Sequence, residues 1–353
     1  MDRSSVAINL GLQGGGAHGA FTWGVLDRLL QEDWIEIAAI TGTSAGALNG
    51  AALKSGWVKG QRAGAREALD VLWAQISGVQ AATMPAWLSA YWPDPKVTSK
   101  ALEFSPYFMV TDLMTRVMSP YAYGPLAQNP LRRIVEEFDY ADMCTRAGGP
   151  ELHICTTCVR DGKVRVFTGD RISTDAILAS ACLPTLFQAI EMEDPISGKV
   201  EAFWDGGYTG NPALFPLFEA HLPDDILIVN INPLERPGTP QTPQDIANRI
   251  NEISFNSSLL RELRAIEFVQ RLLTNGQVPE GSMKALRVHM VADDALMTSL
   301  SVATKTIPVP TVIAQLRDAG QAAADAFLLA HADDLGKRQT ADLDAMFGTA
   351  KPI

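Results

Sequence analysis

Short apolar runs open the chain, and apolar positions at helical spacing dominate its last third. VAINLGL (6–12) and WIEIAAI (34–40) read as strands. A helical pattern follows each, from about Ala17 to Gln31 and from Ala45 to Ser55, and residues 61–80 continue as helix. A strand–helix–strand–helix opening predicts a parallel sheet with helical crossovers. Further along, LRRIVEEF (131–138) reads as a helix, and LHICTTCVR and KVRVFTG as strands joined by an Asp161-Gly162 turn. STDAILASACL (173–183) reads as a helix capped by Ser173 or Thr174 and stopped by Pro184. VEAFWDGG is a strand entering a turn, and DILIVNINP (225–233) a buried strand. An amphipathic helix is expected from Pro243 to about Asn275, a strand over 285–293, and a last helix over about 309–335.

One stretch breaks this texture. Residues 84–126 are rich in aromatics and interrupted by prolines, so they do not form one helix. They read as an irregular insertion over the sheet. Trp87, Tyr91, Trp92, Phe104, Tyr107 and Phe108 are candidates to line a substrate channel or a lid, with ordinary packing as the alternative. The expected organisation is a core over 1–232, carrying this insertion, and a mainly helical region over 233–353 packed on it.

The chain has 353 residues, and 47% hydrophobic with 20% charged residues is the balance of a globular protein. Its formal charge of −11 argues against a nucleic-acid partner and against attraction to anionic lipid, so any transient membrane contact is expected to be apolar. No apolar run is long enough for a membrane span, and the start lacks a secretory signal, so a cytoplasmic location is expected. Of the four cysteines (Cys144, Cys155, Cys158 and Cys182), CTTC at 155–158 has redox or zinc spacing. Strand alternation puts Cys155 and Cys158 on opposite faces, and no second pair follows, so packed thiols are expected.

The candidate chemistry begins at GTSAG (42–46), which fits G-x-S-x-G between an apolar strand and a small-residue helix. Flanking glycines allow a tight strand-to-helix turn that exposes a serine Oγ at the helix N-terminus. Ser44 is therefore the candidate nucleophile. GGGAHG (14–19) satisfies G-x-G-x-x-G, but the following strand ends without the acidic residue a dinucleotide ribose needs. The loop reads instead as an oxyanion site, with consecutive glycines Gly14, Gly15 and Gly16 offering backbone N–H groups. Serine needs a base. Of five histidines, His289 sits in a late strand followed by an acidic loop, as a triad histidine would. Asp205, at a strand-to-turn junction before Gly206 and Gly207, is the other candidate.

Together GGGAHG, GTSAG, ASACLP (179–184) and DGG (205–207) resemble the patatin-like phospholipase family over roughly residues 6–232. That resemblance implies a three-layer α/β/α fold with a mainly parallel sheet. It implies a Ser44–Asp205 dyad without catalytic histidine, an oxyanion loop at Gly14–Gly16, no metal or other cofactor, and hydrolysis of lipid or other acyl esters through an acyl-enzyme. His18 departs from the family's usual arginine or lysine, which makes the loop less electropositive and suggests a hydrogen-bonding role. An α/β-hydrolase esterase using His289, and a catalytically silent lipid-binding protein, are the competing readings.

Overall fold

In the computed structural model, residues 4–81, 99, 102, 105, 118–122, 129–143, 148–279 and 281–348 are described. The six aromatics expected to line a substrate channel lie outside these residues. Among the described residues, eight strands form one sheet: β1 (Val6–Leu12), β2 (Ile35–Thr43), β3 (Glu151–Cys158), β4 (Val164–Thr168), β5 (Ile190–Glu193), β6 (Val200–Asp205), β7 (Asp225–Asn230) and β8 (Arg287–Ala292). The order is β5-β6-β3-β2-β1-β7-β8, with β4 paired to β3 off this path. β3, β2, β1, β7 and β8 run parallel, while β4, β5 and β6 form the antiparallel side.

The helices are α1 (Gly19–Leu29), α2 (Ala45–Ala81), α3 (Arg132–Val135), α4 (Tyr140–Met143), α5 (Thr174–Ser180) and α6 (Pro243–Thr274). After β8 come α7 (Asp294–Ser299), α8 (Val302–Thr306), α9 (Pro310–His331) and α10 (Leu343–Phe347). The two helices expected between residues 45 and 80 both form within α2, on either side of a break at Gly60 and Gln61, where Gln61 adopts φ +51°. Ser173, rather than Thr174, caps α5 by accepting from the Ala176 N–H. The helix expected over 131–138 is α-helical only from Arg132 to Val135. Its end tightens into i→i+3 bonds, Glu137 N–H to Ile134 and Phe138 N–H to Val135. The four-residue β5 and the short α7 and α8 carried no readable period.

Alternating strand positions fill two cores, one on each face of the sheet. Ile8, Leu10, Leu227 and Val229 pack with α1, α2, α5 and α9. Ile226, Ile228 and Val288 pack on the other side with Leu259, Leu263 and Ile266 of α6. This is the expected three-layer α/β/α fold. β8 pairs in parallel with β7, and α6 and α9 cover opposite faces, so the described elements after residue 232 complete the sheet and both outer layers. Cys155 and Cys158 do point to opposite faces: Cys158 joins the core with Ile154, while Cys155 Sγ lies 3.4 Å from Thr41 Oγ1. No helix among the described residues is long and apolar enough to cross a membrane.

α1 and α9 cross with backbones in contact. A Cβ on Gly24 would stand 2.0 Å from the Arg317 carbonyl oxygen, and one on Gly320 2.1 Å from that of Phe21. Overpacking such a crossing costs about 1–3 kcal/mol. Gly320→Ala is therefore expected to lower the urea midpoint by that amount of stability, with the m-value unchanged.

Candidate active site

Parallel pairing of β1 and β2 brings their C-terminal ends together, with Leu12 opposite Gly42. The glycine loop leaves the first strand there and Ser44 leaves the second. Ser44 takes φ +53°, the left-handed region that a side chain disfavours. The turn is held from both sides. The Ser44 N–H donates to Ser180 Oγ (2.9 Å), whose hydroxyl donates to the Cys155 carbonyl (2.6 Å). The Ser44 carbonyl accepts from Leu48 N–H (3.0 Å) and starts α2. Any side chain at Gly46 would collide with the Leu12 carbonyl, 2.1 Å from its Cβ. Ser44 is 8% exposed, and it lines the cavity described below.

Asp205 arrives from the antiparallel side. β3 lies between β2 and β6, with Thr43 opposite Cys155 and Thr156 opposite Asp205. Two bonds pin the Asp205 backbone: its N–H donates to Cys182 O (2.8 Å), and its carbonyl accepts from Thr157 Oγ1 (2.8 Å). The side chain is fully buried. Oδ1 accepts from Gly207 N–H (2.7 Å), while Oδ2 has no hydrogen-bond partner among the described residues. Burial pushes the carboxyl up to about 7, against the smaller downward pull of the Gly207 N–H and of the Ser44 hydroxyl beside it. A carboxyl held near neutrality next to a serine is matched to a general base.

The glycine loop is fixed from behind by side-chain amides. Gly14 N–H donates to Asn211 Oδ1 (2.6 Å), and Gly14 O accepts from Asn232 Nδ2 (2.8 Å). Gln13 Oε1 accepts from the N–H groups of Ile231 (2.9 Å) and Asn232 (3.1 Å). Gly14 therefore departs from the expectation: its N–H is already committed, and it anchors the loop. Gly15 and Gly16 line the cavity, and their N–H groups have no acceptor among the described residues.

His18 is buried, with Nε2 2.9 Å from Thr304 Oγ1. That hydroxyl donates to Ser301 O, so His18 Nε2 carries the hydrogen and donates to it. Burial, and secondarily Lys305, hold the imidazole well below its ordinary pKa, so His18 is neutral.

His289 is nowhere near Ser44. It is fully buried, with Nε2 2.9 Å from Asp225 Oδ1 and Nδ1 3.1 Å from Thr340 Oγ1. Asp225 begins β7, whereas the site lies beyond that strand's other end, roughly 17 Å away at the rise of a strand. His153 and His221 flank Glu151 at the start of β3, and His331 pairs with Asp334. The triad alternative fails on this geometry.

Ser44 and Asp205 open into a cavity of about 290 Å³. Its wall is mostly apolar, with Leu48, Trp73, Ile76, Leu186, Phe187 and Phe255 among the lining residues. Several residues of the site had no reading from sequence. Ser180 lies inside ASACLP, so its motif was visible but not its bond to Ser44. Asn211 and Asn232 each precede a proline, the one shared local signal. Lys305, which also lines the cavity, sits in VATKT on α8 and carried no signal.

A family model described as patatin-like phospholipase matches residues 10–220. No curated protein matches the chain. Among solved structures, VipD from Legionella pneumophila is similar at 16% identity and a TM-score of 0.40, over 92% of this chain and 67% of that one. The heterodimeric ExoU–SpcU complex from the type III secretion system of Pseudomonas aeruginosa gives 15% identity and a TM-score of 0.29, over 97% of this chain and 65% of that one.

The raised Asp205 carboxyl has a consequence for stability. An aspartate whose folded pKa lies above its unfolded value, here about 7 against 3.8, binds its proton more tightly in the native state. Stability is then lost as pH rises between those values, at about 1.4 kcal/mol per unit, and the loss is complete above the folded pKa. Urea unfolding of wild type and Asp205→Asn is expected to diverge in favour of the variant from about pH 4 to 7, and to run parallel above.

Proposed function

From its membership of the patatin-like phospholipase family, which the match over residues 10–220 establishes, we propose that the chain is a lipid acyl hydrolase. It cleaves carboxylic esters through Ser44 and Asp205 by way of an acyl-enzyme. The observation that carries this reading is a buried carboxyl near neutrality, with one bare oxygen, beside a serine in a strained strand-to-helix turn.

In the first half-reaction the Asp205 carboxylate takes the Ser44 hydroxyl proton as Oγ bonds to the ester carbon. The carbonyl electron pair moves onto oxygen, where the free N–H groups of Gly15 and Gly16, and the start of α2, favour the negative charge. Collapse breaks the bond to the alcohol, which leaves with the proton from Asp205. Water then repeats the sequence: Asp205 takes its proton, the hydroxyl bonds to the acyl carbon, and Ser44 leaves and recovers a proton. The products are an alcohol and a carboxylic acid, and no outside reagent is consumed. The apolar cavity takes the acyl chain. Contact with a lipid surface rests on apolar groups, since the net charge of −11 opposes an anionic one.

Ser44→Ala and Asp205→Asn are each expected to lower kcat/KM on p-nitrophenyl acyl esters by at least about 10³-fold. Circular dichroism checks the fold, and unchanged turnover in either variant sinks the dyad. For wild type, kcat/KM is expected to climb with pH through about 7, as the free enzyme's Asp205 loses its proton. Wild-type Ser44 is expected to label with a fluorophosphonate, and failure to label would favour a silent lipid-binding protein.

A further inference from the structure

Lys305 is held against the glycine loop by two independent contacts. Its carbonyl oxygen lies only 2.2 Å from where a Cβ on Gly16 would stand, so the α8 backbone rests directly on the loop. At the other end of the residue, Nζ donates to Asn232 Oδ1 (2.8 Å). That oxygen is 3.8 Å from the Cβ position of Gly15, and Asn232 Nδ2 in turn holds the Gly14 carbonyl. The ammonium is therefore tied to the segment that supplies the free N–H groups of Gly15 and Gly16.

The charge around it is unbalanced. One of its three N–H bonds is used, and no carboxylate pairs with it among the described residues. Glu252 on α6 attracts it from a distance but is already bound by Arg236 (2.6 Å) and Arg249 (3.3 Å). Arg236 repels it, and the neighbouring His18 is neutral. Lys305 is half-buried in the cavity wall, and a cation so desolvated without a carboxylate is costly. It is placed to meet an anion that forms in the cavity it lines with Gly15, Gly16 and Ser44.

Asp205 shares that cavity, but Lys305 Nζ bonds Asn232 Oδ1 on the glycine-loop side, whereas the Asp205 carboxylate bonds Gly207 N–H on its own side. A cation serving the carboxylate would pull its pKa down and weaken the base. The positive charge therefore sits on the side of the glycine loop and not on the side of the base.

We propose that Lys305 is a positioning residue for acyl transfer, its ammonium holding Asn232 and the glycine loop and supporting the negative charge that develops on the ester carbonyl oxygen. The inference rests on the acyl-transfer reading above. It places an essential part of the site beyond the residues the family model covers.

The test uses the full chain with Lys305→Met and Lys305→Arg, beside Ser44→Ala. Substrates are a neutral p-nitrophenyl ester and a lysophospholipid carrying a phosphate. On the neutral ester, Lys305→Met is expected to lose roughly 10- to 100-fold in kcat with KM within about two-fold. Lys305→Arg is expected to recover most of that loss. Burial draws the Lys305 ammonium down to about 8, so wild-type kcat is expected to fall above that pH, and Lys305→Arg to extend the plateau upward.

Unchanged kcat for Lys305→Met on the neutral ester overturns the proposal. That includes the case where only KM for the phosphate-bearing substrate rises, which would make Lys305 a headgroup contact. Should Lys305→Met fail to fold, the alkaline limb of Lys305→Arg decides, and a limb identical to wild type overturns the proposal. Full activity in Ser44→Ala would instead overturn the acyl-transfer reading itself, whereas an inactive Ser44→Ala with a normal Lys305→Met removes only the role of Lys305.

Discussion

Everything at the site depends on how closely backbone can approach backbone where β2 turns into α2. The Leu12 carbonyl occupies the space a side chain at Gly46 would need, and Ser44 must accept a left-handed conformation to make the turn. Strain of this kind costs about 1–3 kcal/mol and persists only where surrounding contacts fix it. Here the contacts are the hydroxyl of Ser180 below and the first bond of α2 above. The serine hydroxyl is thereby set beside a carboxylate that has lost its water.

The parts of the site that could be read from sequence are those in which glycine clusters mark close approach. GTSAG, GGGAHG and DGG located Ser44, the loop and Asp205 because tight turns leave a local trace. Strand periodicity likewise gave the parallel core and the Asp161-Gly162 hairpin. What stayed hidden depends on contacts made far along the chain. Which loop N–H groups remain free is set by Asn211 and Asn232, about 200 residues away, and nothing in GGGAHG separates Gly14 from Gly15 and Gly16. His289 had the sequence setting of a triad histidine, yet the direction of β7 puts its partner Asp225 at the wrong end of the sheet. The short α8 mixes β-branched residues with one lysine, and its position on the loop is purely tertiary.

The chain after residue 232 is thus part of the site as well as of the fold. Phe255 and Asn251 of α6 and Val302 and Lys305 of α8 line the same cavity as Ser44 and Asp205. β8 fixes where this segment returns, by pairing along the whole of β7. Ser44 from the first strands, Asp205 from β6 and cavity walls from the last helices are built on one continuous sheet.

That sheet joins its two halves at β3, parallel to β2 on one side and antiparallel to β6 on the other. The separation of Ser44 from Asp205 is therefore set by two cross-strand alignments, Thr43 against Cys155 and Thr156 against Asp205, and not by the length of the loops between them. A slip of β6 by one residue would turn the carboxylate through the sheet into the opposite layer. Insertions at the exposed turn around Ile196, between β5 and β6, leave those alignments and the Ser180 and Cys182 contacts intact, so this turn is free to lengthen in evolution while Ser44 and Asp205 keep their spacing.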